Sequence, residues 1–433
     1  MHRKWFQGVL FSVLITKDIN QSNRSTILKT LKGENRMKRI LYLLLVLVLM
    51  GSLLAGCSSD TGAGQEENGQ GDANDADVVK VGLNYELSGN VATYGQGLTE
   101  GIELAIEEIN AAGGVLGKQI EMVKVDNKSD SAEAANVSTR LITRDNVVAI
   151  LGPATSGNTK GGLPPAMQHK VPLISASATA DDVTVDSNGN VREYVFKTCF
   201  SDSYQGVTMA NFAYNDLEFK NAAILMDNTS DYAKGLAAAF KETFTELGGS
   251  LTAEEAYAAK ETDFRTVLTN IKGSNPEVVY LPGYYEEVGL IVKQARELGL
   301  NVPFLGGDGY DSPKLVEIAG AENLNQVFYT NHYSPQDDAE DVVRFQEAFK
   351  AKYGREADAF NALGYDLAYL VADAIERAGE ANPEKVKDAL AATEGFKGIT
   401  GTLSMDEFHN PVKAVTILEV KDGVPHFLKK LEP

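Results

Sequence analysis

The feature that most constrains this chain is an alternation of short strands with amphipathic helices, run through twice. Val78 to Tyr85 is an apolar run of strand length, and Gly95 to Ala111 repeats Leu98, Ile102, Ala105, Ile106 and Ile109 at helical spacing. Ala112-Gly113-Gly114 ends that helix. A strand at Ile120–Val125, a helix at Ala132–Arg144 and strands at Val147–Leu151, Pro172–Ser175 and Val195–Phe200 follow. The rhythm restarts with strands at Ala222–Met226, Ser250–Ala256, Val278–Leu281 and Phe304–Gly306. Helices fall between them at Ala233–Leu247, Phe264–Lys272 and Glu286–Leu298. Such a pattern predicts an α/β fold of two doubly wound, parallel-sheet lobes with helices on both faces. Later helices at Asp338–Ala351, Ala362–Ala378 and Glu384–Ala391, with strand-like Gly401–Ser404 and Ala414–Val420, are too few for a third domain. They must complete the first two, so the chain crosses between lobes more than once.

The N-terminal region sets the compartment. Met37-Lys38-Arg39 precedes an apolar run, Ile40 to Leu53, which closes on Leu54-Ala55-Gly56-Cys57. A basic start, an apolar stretch and a small-residue site describe a secretory signal peptide. The run is too short for a comfortable membrane span of about 20 apolar residues. A cysteine directly after Leu-Ala-Gly resembles the bacterial lipobox, which implies cleavage before Cys57 and acylation of its thiol. The expected location is outside the cytoplasmic membrane, lipid-anchored, at the cell surface or in the periplasm. Residues 1–36 hold the only tryptophan, Trp5, and no strong periodicity, so they read as an upstream extension of a chain that starts at Met37. Residues 58–77 are almost all Gly, Asn, Gln, Asp, Glu and Ser, a tether with reach above the membrane.

The net charge is −20, and residues 1–56 carry nine Lys/Arg and two Asp/Glu, so their removal leaves −27. That excludes nucleic acid and anionic lipid headgroups as partners. Membrane attachment then depends on the acyl group. With Cys57 acylated, Cys199 stands alone and no internal disulfide forms. Its strand context reads as a buried small apolar residue.

Several stretches together resemble the branched-chain amino-acid-binding proteins of ABC importers. They are Gly89 to Gly97 with Ile109 to Gly117, Ile150-Leu151-Gly152-Pro153-Ala154-Thr155-Ser156, Pro172 to Thr179, Asp202-Ser203-Tyr204-Gln205-Gly206, Thr262-Asp263-Phe264, Gly283-Tyr284-Tyr285 and Gly307-Asp308. The resemblance implies the type I periplasmic-binding fold, with three crossovers near Cys199–Asp202, Phe328–His332 and Leu403–Asp406. The expected division is 1–36 extension, 37–56 signal, 57–77 tether, 78–199 plus 331–402 lobe one, and 200–330 plus 403–433 lobe two. It also implies a ligand held between the lobes, where open α/β sheets bind.

A zwitterionic amino acid needs N–H groups and hydroxyls for its carboxylate, an acid for its ammonium and a matching wall for its side chain. Ser156 opens a helix after a strand, where free N–H groups and a hydroxyl suit an anion; taken alone it also reads as a plain cap. The resemblance assigns Ser156, the Ser177 backbone and the Thr179 hydroxyl to the ligand head group, though Ser177 and Thr179 also read as turn residues. It assigns Asp308 to the ammonium, with Asp standing where family members usually carry Glu, one methylene longer. Tyr94, Tyr232, Tyr284 and Phe360 match positions lining the cleft. Asp202 and Gln205 read as closure or helix-capping residues. The expected activity is capture and delivery to an ABC permease by a monomer, without cofactor, metal or catalysis. The five histidines (His2, His169, His332, His409, His426) show no metal spacing, and no nucleophile elbow or phosphate loop occurs. Rival readings are an amide, urea or aromatic-acid binder, a sensing ectodomain and an enzyme.

Overall fold

A computed structural model describes residues 78–432. The upstream extension, the signal, Cys57 and the tether lie outside the described residues. In chain order the first lobe opens with β1 (Val78–Tyr85), α1 (Ala92–Ala111), β2 (Gln119–Asp126), α2 (Ser131–Thr143), β3 (Ala149–Leu151), α3 (Ser156–His169), β4 (Leu173–Ser175) and β5 (Val195–Lys197). The second follows with α4 (Asp202–Asn211), β6 (Asn221–Asp227), α5 (Asp231–Glu246), β7 (Ser250–Tyr257), α6 (Arg265–Gly273), β8 (Val278–Tyr280), α7 (Tyr285–Glu297), β9 (Phe304–Gly306), α8 (Pro313–Ala319) and β10 (Val327–Asn331). The chain ends with α9 (Glu340–Tyr353), α10 (Ala359–Ala378), α11 (Pro383–Ala391), β11 (Phe396–Gly398), β12 (Gly401–Met405), β13 (Pro411–Val412), β14 (Val415–Lys421) and β15 (Val424–Leu431).

Among the described residues, the first sheet has the order β2-β1-β3-β4-β5 and every pairing in it is parallel. The second repeats the same winding as β7-β6-β8-β9-β10, parallel throughout, and adds β14 and β15 antiparallel at one edge. The expected two doubly wound lobes are present. Each lobe has its strand-order reversal beside its first strand, between β1 and β3 and between β6 and β8. Loops leaving the carboxyl ends there diverge, and open α/β sheets bind ligands in that crevice. The reason is visible in the strands: β1 is buried on both faces over most of its length, as a central parallel strand must be.

The late helices return to the first lobe. α10 lies against α1 at backbone contact, which needs residues without side chains. A Cβ on Gly101 would stand 1.9 Å from the Asn361 carbonyl oxygen, and one on Gly364 would stand 2.1 Å from that of Leu98. Asp358 and Asn361 cap α10 reciprocally. The short sheet β11-β12-β13 spans residues 396–412. Just before β13, His409 accepts from the Lys197 N–H through its carbonyl and meets the Val195 carbonyl with its ring Nδ1. The next strand of the large sheet then begins at Val415.

β10, β11 and β13 are not among the expected strands, and three further elements differ from the sequence reading for physical reasons. α1 starts at Ala92, not Gly95; Gly95 sits in its first turn because a Cβ there would come within 2.2 Å of the Glu86 carbonyl. α8 has seven residues, too few to display a helical period. β15 contains Pro425 and two lysines, which spoil a strand pattern, but an edge position tolerates them. Cys199 is a free, buried thiol whose pKa burial pushes up to about 12, so it packs as an apolar group.

The α1–α10 contact yields a direct test. Gly364→Ala should cost roughly 1–3 kcal/mol by forcing two backbones apart, read as a lowered urea midpoint at unchanged m-value. A midpoint equal to the parent's would show that the helices do not approach this closely.

Candidate functional site

The first lobe's wall is organised by a carboxylate. Glu86, at the exit of β1, is fully buried and accepts from the Ala154 N–H (3.0 Å), the Thr155 N–H (3.1 Å) and hydroxyl (2.9 Å), and Asn158 Nδ2 (2.8 Å). It therefore pins the loop between β3 and α3 and fixes the start of that helix. Ser156 is the first residue of α3, where backbone N–H groups have no intrahelical acceptor. Its hydroxyl accepts from the Ala180 N–H at 3.1 Å. Ser177 Oγ donates to the Ala154 carbonyl at 2.8 Å, its N–H donates to Ser175 Oγ at 3.4 Å, and Ser177 lines the cavity beside Ser156. The Thr179 hydroxyl is buried without a hydrogen-bond partner. An orphaned buried hydroxyl is uncommon and marks unused bonding capacity.

On the second lobe, Asp308 follows β9 in a single 3₁₀ turn and is buried. Its Oδ1 accepts from Gln205 Nε2 (3.1 Å) and the Tyr232 hydroxyl (2.9 Å), and its Oδ2 lies 3.0 Å from His332 Nε2. Gln205 also accepts from the Asp308 N–H at 3.1 Å and from the Thr330 hydroxyl, and the Tyr232 hydroxyl accepts from the Gly309 N–H at 2.9 Å. Gly307 permits this clamp: a Cβ there would fall 2.6 Å from the Tyr232 hydroxyl. Three elements distant in sequence, α4, α5 and the end of β10, thus hold one carboxylate in place.

The protonation states follow from burial. Burial, then the negative charge of Asp308, raises the Tyr232 hydroxyl far above its ordinary value, so it remains a donor. His332 is buried against Phe200, ring centroids 3.6 Å apart. Desolvation lowers its pKa to about 4 against the opposing pull of Asp308. Neutral His332 donates through Nε2 to Asp308, and its bare Nδ1 is left without a partner. Asp202 is also buried, beside the Thr179 hydroxyl. Desolvation, with the like charges of Asp308 and Asp181, raises Asp202 well above the carboxylate range.

Aromatic rings close the space between. Tyr94 stacks on Phe360 at 4.4 Å, and Tyr232 on Tyr284 at 5.1 Å with planes 5° apart. The Tyr94 hydroxyl crosses from the first lobe to donate to the Gly309 carbonyl and accept from the Tyr285 N–H at 3.2 Å. Tyr94, Ser156, Ser177, Tyr232, Tyr284, Asp308 and Phe360 all line one cavity, in which Asp308 is the only charged residue. Its open volume is about 10 Å³, room for roughly one water. Thr179 is not part of the lining; its neighbour Ala180 donates its N–H to the Ser156 hydroxyl, and its own carbonyl accepts from the Asp202 N–H at 2.9 Å. Sequence reasoning omitted Glu86 and His332, each a single ionisable residue without a motif around it. It set Gln205 aside as a closure or capping residue, whereas Gln205 holds Asp308 directly. Among the described residues, no cluster of His, Cys, Asp and Glu suits a metal ion.

Comparison with known proteins gives a consistent pattern. Residues 78–424 match the model of a family described as periplasmic binding protein. The leucine-, isoleucine-, valine-, threonine- and alanine-binding protein of Pseudomonas aeruginosa is 32% identical over 332 residues, covering 77% of this chain and 87% of that protein. The branched-chain amino acid transporter substrate-binding protein LivJ of Streptococcus pneumoniae, solved with isoleucine, is 41% identical with a TM-score of 0.78. That match covers 82% of this chain and all of the other. The leucine-binding protein LivK of Thermotoga maritima is 36% identical, TM-score 0.78, over 82% and 99% of the two chains.

The His332 environment makes stability pH-dependent. Because its folded pKa lies below the ordinary 6.5, the neutral form's contribution is complete above pH 6.5 and lost as pH falls toward 4. Denaturant titrations should lose up to roughly 3 kcal/mol across that window from this residue, and His332→Gln should flatten the fall. Equal slopes in the two proteins would exclude His332 as the source.

Proposed function

The chain belongs to the periplasmic binding protein family, and we propose that it captures an amino acid with an apolar side chain, of the leucine, isoleucine and valine type, and delivers it to an ABC permease. One observation carries the ligand class: an anion-accepting helix start at Ser156 faces, across an aromatic cavity, a single buried carboxylate at Asp308. The helix N-terminus with the Ser177 and Thr179 groups suits a carboxylate. Asp308 suits an ammonium. Tyr94, Tyr232, Tyr284 and Phe360 supply an apolar wall. An aromatic acid without an amine would offer nothing to Asp308, the one charge in the lining. Asp in place of the longer Glu draws the anionic end back toward Gln205 and His332.

The family is extracytoplasmic. We place the protein on the outer face of the cytoplasmic membrane as a monomer, anchored by acylation of Cys57 after removal of 37–56, with 57–77 as tether. The lobes are taken as 78–199 plus 331–402 and 200–330 plus 403–433. The work is binding alone, with no bond made or broken.

Admission of a leucine-sized guest requires the lobes to part, since the cavity holds about 10 Å³ in this closed arrangement. Parting breaks Tyr94–Gly309, Tyr94–Tyr285, the Thr93–Ser312 hydroxyl pair (3.0 Å) and an ion pair at the rim. At that rim Lys160 on α3 bridges Asp182 (2.6 Å) and, across the cleft, Asp231 at the start of α5 (2.7 Å). A ligand touching both lobes stabilises the closed population by its differential affinity for that form.

Two outcomes test this. Asp308→Asn keeps the size but removes the charge, and should weaken leucine binding at least tenfold in calorimetry; unchanged affinity would refute the assignment. Lys160→Met should speed leucine release by about two- to fivefold at low salt, as expected for a partly exposed ion pair. The difference should shrink at 1 M salt; a rate unaffected at low salt would show that the rim pair does not hold the lobes.

A further inference from the structure

A larger cavity, of about 460 Å³, lies on the flank of the cleft and plays no part in the site above. Its volume falls within the range of small-molecule sites. It stays open in the same closed arrangement that reduces the main cavity to about 10 Å³. The second lobe provides an apolar wall, including Leu315, Val316, Leu324, Tyr329, Leu418 and Val420. The first lobe provides the segment 355–358 that leads into α10.

The polar end of the cavity is acidic. Asp311, from the second lobe, accepts from the Ala359 N–H at 2.9 Å across the lobe boundary, from Asn331 Nδ2 at 3.1 Å and from the Tyr329 hydroxyl at 3.3 Å. Asp358, from the first lobe, accepts from the Asn361 N–H at 3.1 Å. Both are partly buried and face the same space. The one cation in the lining, Arg355, is engaged elsewhere: its guanidinium bonds Glu100, Asn361 Oδ1 and the Glu356 carbonyl. Closure therefore brings two carboxylates together without a dedicated counter-ion. Burial, then the charge of Asp311, pushes Asp358 up to about 7, while Arg355 offsets only part of this.

We propose that this flank cavity is a second binding site, for a small molecule with an apolar body and a cationic amine head that lies between Asp311 and Asp358. The apolar wall takes the body, and the ammonium supplies the charge that the two acids lack. Because its walls come from both lobes, the site is complete only when they are closed, so its occupant is compatible with a filled main cleft.

The test titrates the full chain with 4-phenylbutylammonium, using 4-phenylbutyrate and 4-phenylbutanol as controls with the same body. Each is read by calorimetry without and with 1 mM leucine as probe concentrations of roughly laboratory scale. The amine should bind with a Kd of about 1 mM or tighter, at least fivefold more tightly than the acid, and with leucine present. Asp358→Asn, which preserves the helix cap, should weaken the amine at least fivefold, and Val316→Phe, which fills the cavity, should abolish its binding. Leucine affinity in both variants should stay within about twofold of the parent, confirming that each is folded. No binding of the amine, equal binding of the acid, displacement by leucine, or indifference to both substitutions would each overturn the proposal. The arm with leucine and the Val316→Phe and Asp358→Asn variants separate flank binding from amine binding at Asp308 in the main cleft.

Discussion

The site depends on burying one carboxylate. Removing Asp308 from water costs several kcal/mol unless its lone pairs are filled. Gln205, Tyr232 and His332 fill them with hydrogen bonds that come from α4, α5 and the residue after β10. Charge-assisted bonds of this kind are the strong ones. The neutrality of His332 and Tyr232 means that these donors orient the carboxylate without cancelling its charge. Its negative charge thus remains available to a cationic guest, in a cavity lining that carries no other charged residue. Glu86 plays the matching part on the first lobe, where four donors tie it to the loop that presents Ser156.

Topology brings the two carboxylates' loops face to face. Both sheets run in the same winding order, so the reversal beside β1 and that beside β6 each open a crevice at the carboxyl ends of strands. Tyr94 and Lys160 then reach across from the first lobe, one to the Gly309 carbonyl and one to Asp231. The contacts that bridge the closed lobes combine polar bonds, Asp311–Ala359 among them, with ring contacts of Tyr94 to Tyr284 and Tyr285 at 5.7 and 5.1 Å. Individually each contributes about a kcal/mol, so a bound guest can decide the balance between open and closed.

Much of this was legible in the residues. Periodicity located most strands and helices, because buried parallel strands and amphipathic helices write strong patterns, but it gave no strand for β10, β11 or β13. It failed at α8, where seven residues hold too little period, and at β15, where Pro425 and the lysines obey edge-strand rules. Seven of the eight ligand-site residues singled out in the sequence line one cavity, and Tyr94 and Phe360 stack within it. Glu86, His332 and the direct role of Gln205 were not legible, because their partners lie 68 or more, 24 and 103 positions away. Nor was the flank cavity, since Asp311 and Asp358 meet only through tertiary packing.

The most direct measurement is a crystal structure of the chain with leucine bound. It should place the ammonium within about 3 Å of Asp308 and the carboxylate against the Ser156, Ser177 and Thr179 groups, with the side chain among the tyrosines. A leucine carboxylate turned toward Asp308, or a ligand lodged away from this cleft, would contradict the account.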